Sequence, residues 1–94
     1  MTKYKIKKGF ISDKIDGRVT IFNVSNSTFY SFNQSGSFIF KMIKKGKDKE
    51  EMMKQLIKRY KISGKKAIDD INDFLEQLLK NEIIFSLKQK KPNK

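Results

Sequence analysis

The chain has 94 residues, a formal net charge of +12, and neither cysteine nor histidine. This length supports one small hydrophobic core, so we expect a single domain. The lack of cysteine excludes disulfides, thiolate metal sites and cysteine nucleophiles, and the lack of histidine removes the commonest general base. We therefore expect a protein that is not an enzyme and that uses no cofactor or metal.

The positive charge comes almost entirely from lysine, because Arg18 and Arg59 are the only arginines. The planar guanidinium group suits phosphates and base edges best, so this composition argues against nucleic acid as a partner. A solvated surface and a surface that attracts an acidic peptide both remain open. Residues 1–8 lack the apolar centre of a signal peptide, and no apolar run approaches the roughly 20 residues that span a bilayer. We expect a cytoplasmic protein without a membrane partner.

Three strands are predicted in the first third of the chain, at residues 4–15, 18–24 and 28–32. Asp16-Gly17 is typical of a two-residue hairpin turn, in which both central positions need a positive φ. Ser25-Asn26 provides a second short turn. The pattern predicts an antiparallel three-stranded meander, which needs a helix to cover one of its faces.

Three helices are predicted to follow, at residues 34–44, 49–60 and 65–81. Each comes after a polar residue whose side chain can accept N–H bonds from the first helical turn. These predicted N-caps are Asn33, Asp48 and Ser63. Gly46 is expected to end the first helix, as glycine commonly does.

The third helix has an apolar stripe wider than packing against one neighbour requires, formed by Ile68, Ile71, Phe74, Leu75, Leu78 and Leu79. Residues 82–87 predict a short terminal strand that packs on the helices, and residues 88–94 a flexible, lysine-rich tail. The predicted fold is α+β, with a three-stranded antiparallel meander followed by a three-helix, winged-helix-like bundle. We expect one domain over residues 1–87.

Several short motifs occur in a specific order along residues 10–87. They are Phe32-Asn33, Ser35-Gly36 before Phe38-Ile39-Phe40, Gly46, Tyr60-Lys61-Ile62, Asp70-Ile71 with Phe74-Leu75-Leu78, and Asn81-Glu82-Ile83-Ile84. Together they resemble the PqqD family of peptide chaperones, also called RiPP recognition elements. Phe32 stands where the family commonly has Leu, Phe40 lies near a usual Trp, and Asn81-Glu82 replaces a common Gly. These departures concern the subfamily and not the fold.

The resemblance implies a stand-alone protein that binds the leader of a ribosomally made precursor peptide. It also implies a separate modifying enzyme, either a radical-SAM maturase or a lasso-peptide leader peptidase, to which the core peptide is presented. In the family the leader adds as a strand to the edge of the third strand, beside the third helix. The candidate peptide-binding residues are Ser27, Thr28, Phe29, Tyr30, Ser31, Phe32, Asp69, Asn72, Asp73, Leu75, Glu76 and Leu79.

Side chains alternate along a strand, so we expect Tyr30 and Phe32 to face the core and Phe29 and Ser31 to face outward. Outward Phe29 would then be free to hold an apolar leader side chain. The carboxylates of the third helix have two open interpretations, a solvated helix surface or a wall of the peptide groove.

A winged-helix DNA-binding protein is the alternative function. The net charge fits it, but the third helix would direct several negative charges toward phosphates that repel them, those of Asp69, Asp70, Asp73 and Glu76. The scarcity of arginine argues the same way. A small-molecule enzyme is less favoured, because the sequence contains no recognisable pairing of nucleophile and base. Both a monomer and a dimer are compatible with the sequence.

Overall fold

The meander and the three helices follow in the predicted order, and the two ends of the described chain add a second sheet. The computed structural model describes residues 3–87, and the predicted tail at 88–94 lies outside them. The strands are β1 (Lys3–Ile6), β2 (Phe10–Ile15), β3 (Arg18–Asn23), β4 (Thr28–Ser31) and β5 (Ile84–Leu87). The helices are α1 (Gln34–Lys44), α2 (Lys49–Tyr60) and α3 (Gly64–Lys80).

The prediction of one strand over residues 4–15 is wrong, because this segment forms two strands in different sheets. Gly9 has a φ of +95°, which turns the chain between β1 and β2. β1 then pairs antiparallel with β5, from Lys3 opposite Leu87 to Ile6 opposite Ile84. The predicted terminal strand is thus present, and it pairs with β1 as well as contacting α3.

The three-stranded sheet has the order β2-β3-β4 and is antiparallel throughout. Asp16 and Gly17 both have positive φ values, 54° and 78°, which confirms the predicted hairpin turn. The second turn is longer than predicted. Ser27 belongs to it with a φ of 59°, and its N–H donates to the Asn23 carbonyl at 2.8 Å.

All three predicted N-caps are confirmed. The side-chain oxygens of Asn33, Asp48 and Ser63 accept backbone N–H bonds at 2.8, 2.9 and 3.1 Å. Gly46 follows α1 with a φ of +81°, as expected after a helix end. α3 begins and ends one residue earlier than predicted, which is within the usual variation of helix ends.

The core lies between α1, the other two helices and the inner face of the meander. Its largest fully buried side chains are Phe40, Ile21, Ile39, Met52, Leu56, Ile71, Leu78, Ile83 and Ile84. The Ser37 hydroxyl of α1 accepts the Val19 N–H of β3 at 2.8 Å, which joins helix and sheet inside this core. Within the described residues, no helix is long and apolar enough to cross a membrane.

Candidate functional site

The outer side of β4 is an open strand edge. The Phe32 N–H donates to the Val19 carbonyl at 3.0 Å, so the backbone polar groups of Phe32 point toward β3. Because hydrogen-bonded and non-bonded pairs alternate in an antiparallel ladder, the N–H and C=O groups of Phe29 and Ser31 point away from β3. No strand among residues 3–87 pairs with this side of β4. These groups are available to an extended segment.

A cleft of about 390 Å³ adjoins this edge, between the end of β4, the first turn of α1 and the middle of α3. Its walls are Ser31, Phe32, Asn33, Ser35, Gly36, Ile39, Lys66, Asp70, Asp73, Phe74 and Gln77. The rings of Phe32 and Phe74 meet edge to face with centroids 4.9 Å apart. The ring of Phe40 lies 5.4 Å behind Phe32 and anchors it to the core. The cleft therefore has aromatic residues fixed by the core among its walls.

Gly36 allows the Phe74 side chain of α3 to lie close to the first turn of α1. A Cβ at position 36 would lie 3.0 Å from Cε1 of Phe74 and 3.3 Å from Cβ of Phe32. The Asn33 side chain caps the same turn and also accepts the Ser35 hydroxyl at 3.2 Å. A cap and a glycine thus place the first turn of α1 beside the aromatic pair.

Three charged residues line the cleft, all of them on α3. The Lys66 ammonium lies 3.0 Å from the Asp70 carboxylate, so these two charges form a pair. Asp73 has no cation within 4.0 Å among residues 3–87. The rim therefore carries one paired carboxylate and one that no described cation compensates.

A second cavity of about 460 Å³ lies toward the other end of β4. Tyr30 lines it from β4 and Lys80 from the end of α3, and its other walls are Phe10, Asn23, Ser25, Asn26, Asn81 and Glu82. Residues of β4 and of α3 line both cavities, so each cavity borders the groove between this strand and this helix.

The predicted inward and outward orientations in β4 are confirmed. Phe32 is 9% exposed, whereas Phe29 is 68% exposed and packs on Phe22 at 4.7 Å on the outer face of the sheet. Ser31 is exposed and Tyr30 is half-buried.

The structure brings together only part of the predicted site. Ser31, Phe32 and Asp73 line the cleft, and Tyr30 lines the second cavity. Thr28 and Phe29 lie on β4, and Ser27 lies in the turn before it. The remaining candidates on α3 line neither cavity, and they are Asp69, Asn72, Leu75, Glu76 and Leu79. Leu75 is 2% exposed and packs in the core. Contact of any of these residues with a peptide stays a prediction.

Sequence reasoning missed the face of α3 that forms the cleft wall. The structure places Asp70, Phe74 and Gln77 there, beside Asp73. Their spacing of three, four and seven residues is typical of one helix face, and this signal was available in the sequence. Of the polar residues predicted for the site, Asp73 lies on this face, and Asp69, Asn72 and Glu76 are displaced from it by one position. At the start of α1, Asn33, Ser35 and Gly36 belong to the sequence motifs described above, but the sequence did not predict them as cleft walls.

The family model described as Coenzyme PQQ synthesis protein D (PqqD) matches residues 18–84, which is more than half of the chain. The chain belongs to the PqqD family. The matched region runs from β3 to the first residue of β5 and so contains every wall of the cleft. β1 and β2 precede the part of this PqqD protein that matches.

Two solved structures share this fold. TbiB1 in complex with the TbiA(beta) leader peptide is 26% identical, with a TM-score of 0.80 over 85% of this chain and 93% of that one. A lasso peptide synthetase B1 complexed with the leader peptide is 13% identical, with a TM-score of 0.83 over 88% of this chain and 98% of that one. No curated protein matches the chain.

Proposed function

We propose that this protein binds the leader segment of a ribosomally made precursor peptide. The leader adds as a strand to the open edge of β4, in the groove beside α3. The observation that carries the proposal is the juxtaposition of this unpaired edge with a cleft that has Phe32 and Phe74 in its walls. The two solved structures of similar fold support it, because each contains a leader peptide.

Strand addition separates affinity from specificity. Backbone hydrogen bonds to Phe29 and Ser31 would hold any extended segment, and the two cavities beside the strand would select its side chains. A disordered leader that becomes ordered on binding loses about 2–5 kcal/mol of the gross interaction energy. A groove already built from core-anchored residues such as Phe32 reduces the ordering required of the protein.

The protein itself performs no chemistry in this proposal. It holds the leader, and the core peptide attached to it then meets a separate modifying enzyme at high effective concentration. That enzyme is a radical-SAM maturase or a lasso-type leader peptidase.

The proposal is tested by amide NMR of the labelled full chain. The protein is titrated with the leader of the short peptide gene nearest its own, and separately with random duplex DNA at physiological salt. We expect the leader to shift the amides of residues 28–32 and 66–77, and DNA to leave them unchanged. Shifts with DNA alone, spread over the lysines and lost as salt rises, would contradict the proposal and indicate a basic DNA-binding protein.

A further inference from the structure

The charge at the cleft is opposite in sign to that of the whole protein. The chain has a net charge of +12. Three charged residues line the cleft. Lys66 and Asp70 form an ion pair at 3.0 Å and compensate each other, so the remaining charge is that of the Asp73 carboxylate. Asp73 has no cationic partner within residues 3–87. A ligand that enters the cleft therefore meets a local negative charge.

The walls of the cleft combine aromatic surface with a charged group. Phe32 and Phe74 present ring surface, and Asp73 is an exposed carboxylate on the same helix as Phe74. Lysine and arginine side chains suit such a site, because an apolar stem lies against hydrophobic surface while the charged end reaches a polar group. Elsewhere in this protein the Arg59 guanidinium lies 5.0 Å from the centre of the Phe38 ring, which is the same kind of contact.

The geometry of strand addition directs a peptide side chain to this place. In a sheet, neighbouring strands present directly opposed residues on the same face. Phe32 is turned to the face that α3 covers. A leader residue paired beside Phe32 would point to that face as well, and its side chain would enter the cleft between Phe74 and Asp73.

We propose that the groove selects leader peptides with lysine or arginine at the position beside Phe32, and disfavours aspartate and glutamate there. This inference rests on the proposed function and adds the chemical class of the bound segment. It is the reverse of what the net charge alone predicts, since a strongly basic protein attracts acidic peptides.

The test selects binders from a displayed library of random linear peptides of about twelve residues, long enough to lay a strand of about five or six residues along β4. The full chain, Asp73→Asn and Glu50→Gln serve as separate targets. Glu50 is an exposed carboxylate in the first turn of α2, outside the groove, so Glu50→Gln makes the same change in net charge. Selected peptides are then mapped on the protein by amide NMR.

We expect peptides that bind along β4 to share a lysine or arginine at one fixed position, with the full chain and with Glu50→Gln but not with Asp73→Asn. Replacing that lysine by norleucine should weaken binding to the full chain about two- to fivefold, in the range of a partly exposed ion pair. The same replacement should have less effect at high salt and with Asp73→Asn.

Two other outcomes would overturn the inference, and they differ in whether they also contradict the proposed function. Peptides that bind along β4 without a basic preference, or a preference that Glu50→Gln removes equally, would exclude the role of Asp73 and leave the proposed function intact. A selection that yields no peptide binding along β4 would contradict the proposed function, and the inference would fall with it.

Discussion

Phe32, directly after β4, and Phe74, in the middle of α3, meet edge to face with ring centroids 4.9 Å apart and planes at 80°. Such aromatic contacts contribute about 0.5–1.5 kcal/mol beyond the area they bury. This one joins the edge strand to the helix across the groove. The shape of the cleft therefore depends on Gly36, the residue of α1 that leaves room for the Phe74 ring.

Gly36→Ala tests that dependence. The added Cβ would lie 3.0 Å from Cε1 of Phe74, so the ring has to move. We expect a loss of about 1–3 kcal/mol in the free energy of unfolding from overpacking, measured by urea denaturation. The better helix propensity of alanine, about 1 kcal/mol, would offset part of this loss. Leader binding should weaken as well.

Gly64→Ala is the matched control, because Gly64 also lies at the start of a helix. The nearest atom to its added Cβ is Cδ1 of Ile57 at 3.9 Å, an ordinary contact. We expect unchanged stability or a gain of up to about 1 kcal/mol. Equal losses from the two substitutions would show that helix geometry, and not the contact with Phe74, explains the role of Gly36.

Ser31→Pro tests strand addition itself. The Ser31 N–H points to the open edge of β4, so proline removes a donor that the β3–β4 ladder does not use. We expect leader binding to lose about 0.5–1.5 kcal/mol for the missing hydrogen bond alone, measured by calorimetric titration. Circular dichroism should show a retained fold.

Ser12→Pro provides the comparison on the opposite edge of the same sheet. The Val24 N–H donates to the Gly9 carbonyl at 2.9 Å, and alternation from this pair turns the Ser12 N–H away from β3. This variant should bind the leader like the unchanged protein. If Ser12→Pro weakens binding and Ser31→Pro does not, the leader adds to β2 instead.

The local parts of this fold could be predicted from the sequence. Asn33, Asp48 and Ser63 act as N-caps through hydrogen bonds to residues three positions ahead, so the signal lies within a few residues. Asp16-Gly17 likewise defines its turn by two positive φ values. A cap or a tight turn depends on residues within about four positions of one another, so the sequence pattern alone indicates it.

The non-local parts could not be predicted in the same way. β1 pairs with β5 across nearly the whole chain, and nothing within residues 4–15 identifies that partner. The apolar stripe of α3 was also too wide to show which side faces the groove. Leu75 turns into the core, whereas its neighbour Phe74 lines the cleft. Tertiary packing decides between two such adjacent residues.

Asn33 caps α1 and also lines the cleft, and two substitutions test which atom of its side chain stabilises the helix start. Asn33→Ala removes the cap that accepts the Gly36 N–H at 2.8 Å, and we expect it to cost about 0.5–2 kcal/mol of stability. Asn33→Asp should retain the cap, because aspartate is an equally good N-cap, and it should unfold at nearly the same urea concentration. A similar loss in both variants would show that the amide nitrogen of Asn33, and not its oxygen, stabilises this turn.

The cationic cluster around Lys41 predicts a dependence of stability on salt and pH. The Lys14 side chain beside it lowers the pKa of Lys41, and the charges of Arg59 and Lys45 add to the effect. The positive charge on Lys41 is therefore less favourable in the folded state than in the unfolded state, and it lowers the free energy of unfolding. This destabilisation is present at neutral pH, and it is lost as pH rises from the lowered pKa of folded Lys41 to the ordinary pKa of a lysine in the unfolded chain.

Lys41→Gln should consequently raise the melting temperature at neutral pH and low salt, as measured by circular dichroism. The gain should shrink in high salt, which screens exposed charges, and also at alkaline pH, where Lys41 is already neutral. Lys54→Gln, on the exposed face of α2, makes the same change in net charge as a control. If the two variants gain equally, the cause is relief of the overall positive charge, and not repulsion between Lys14 and Lys41.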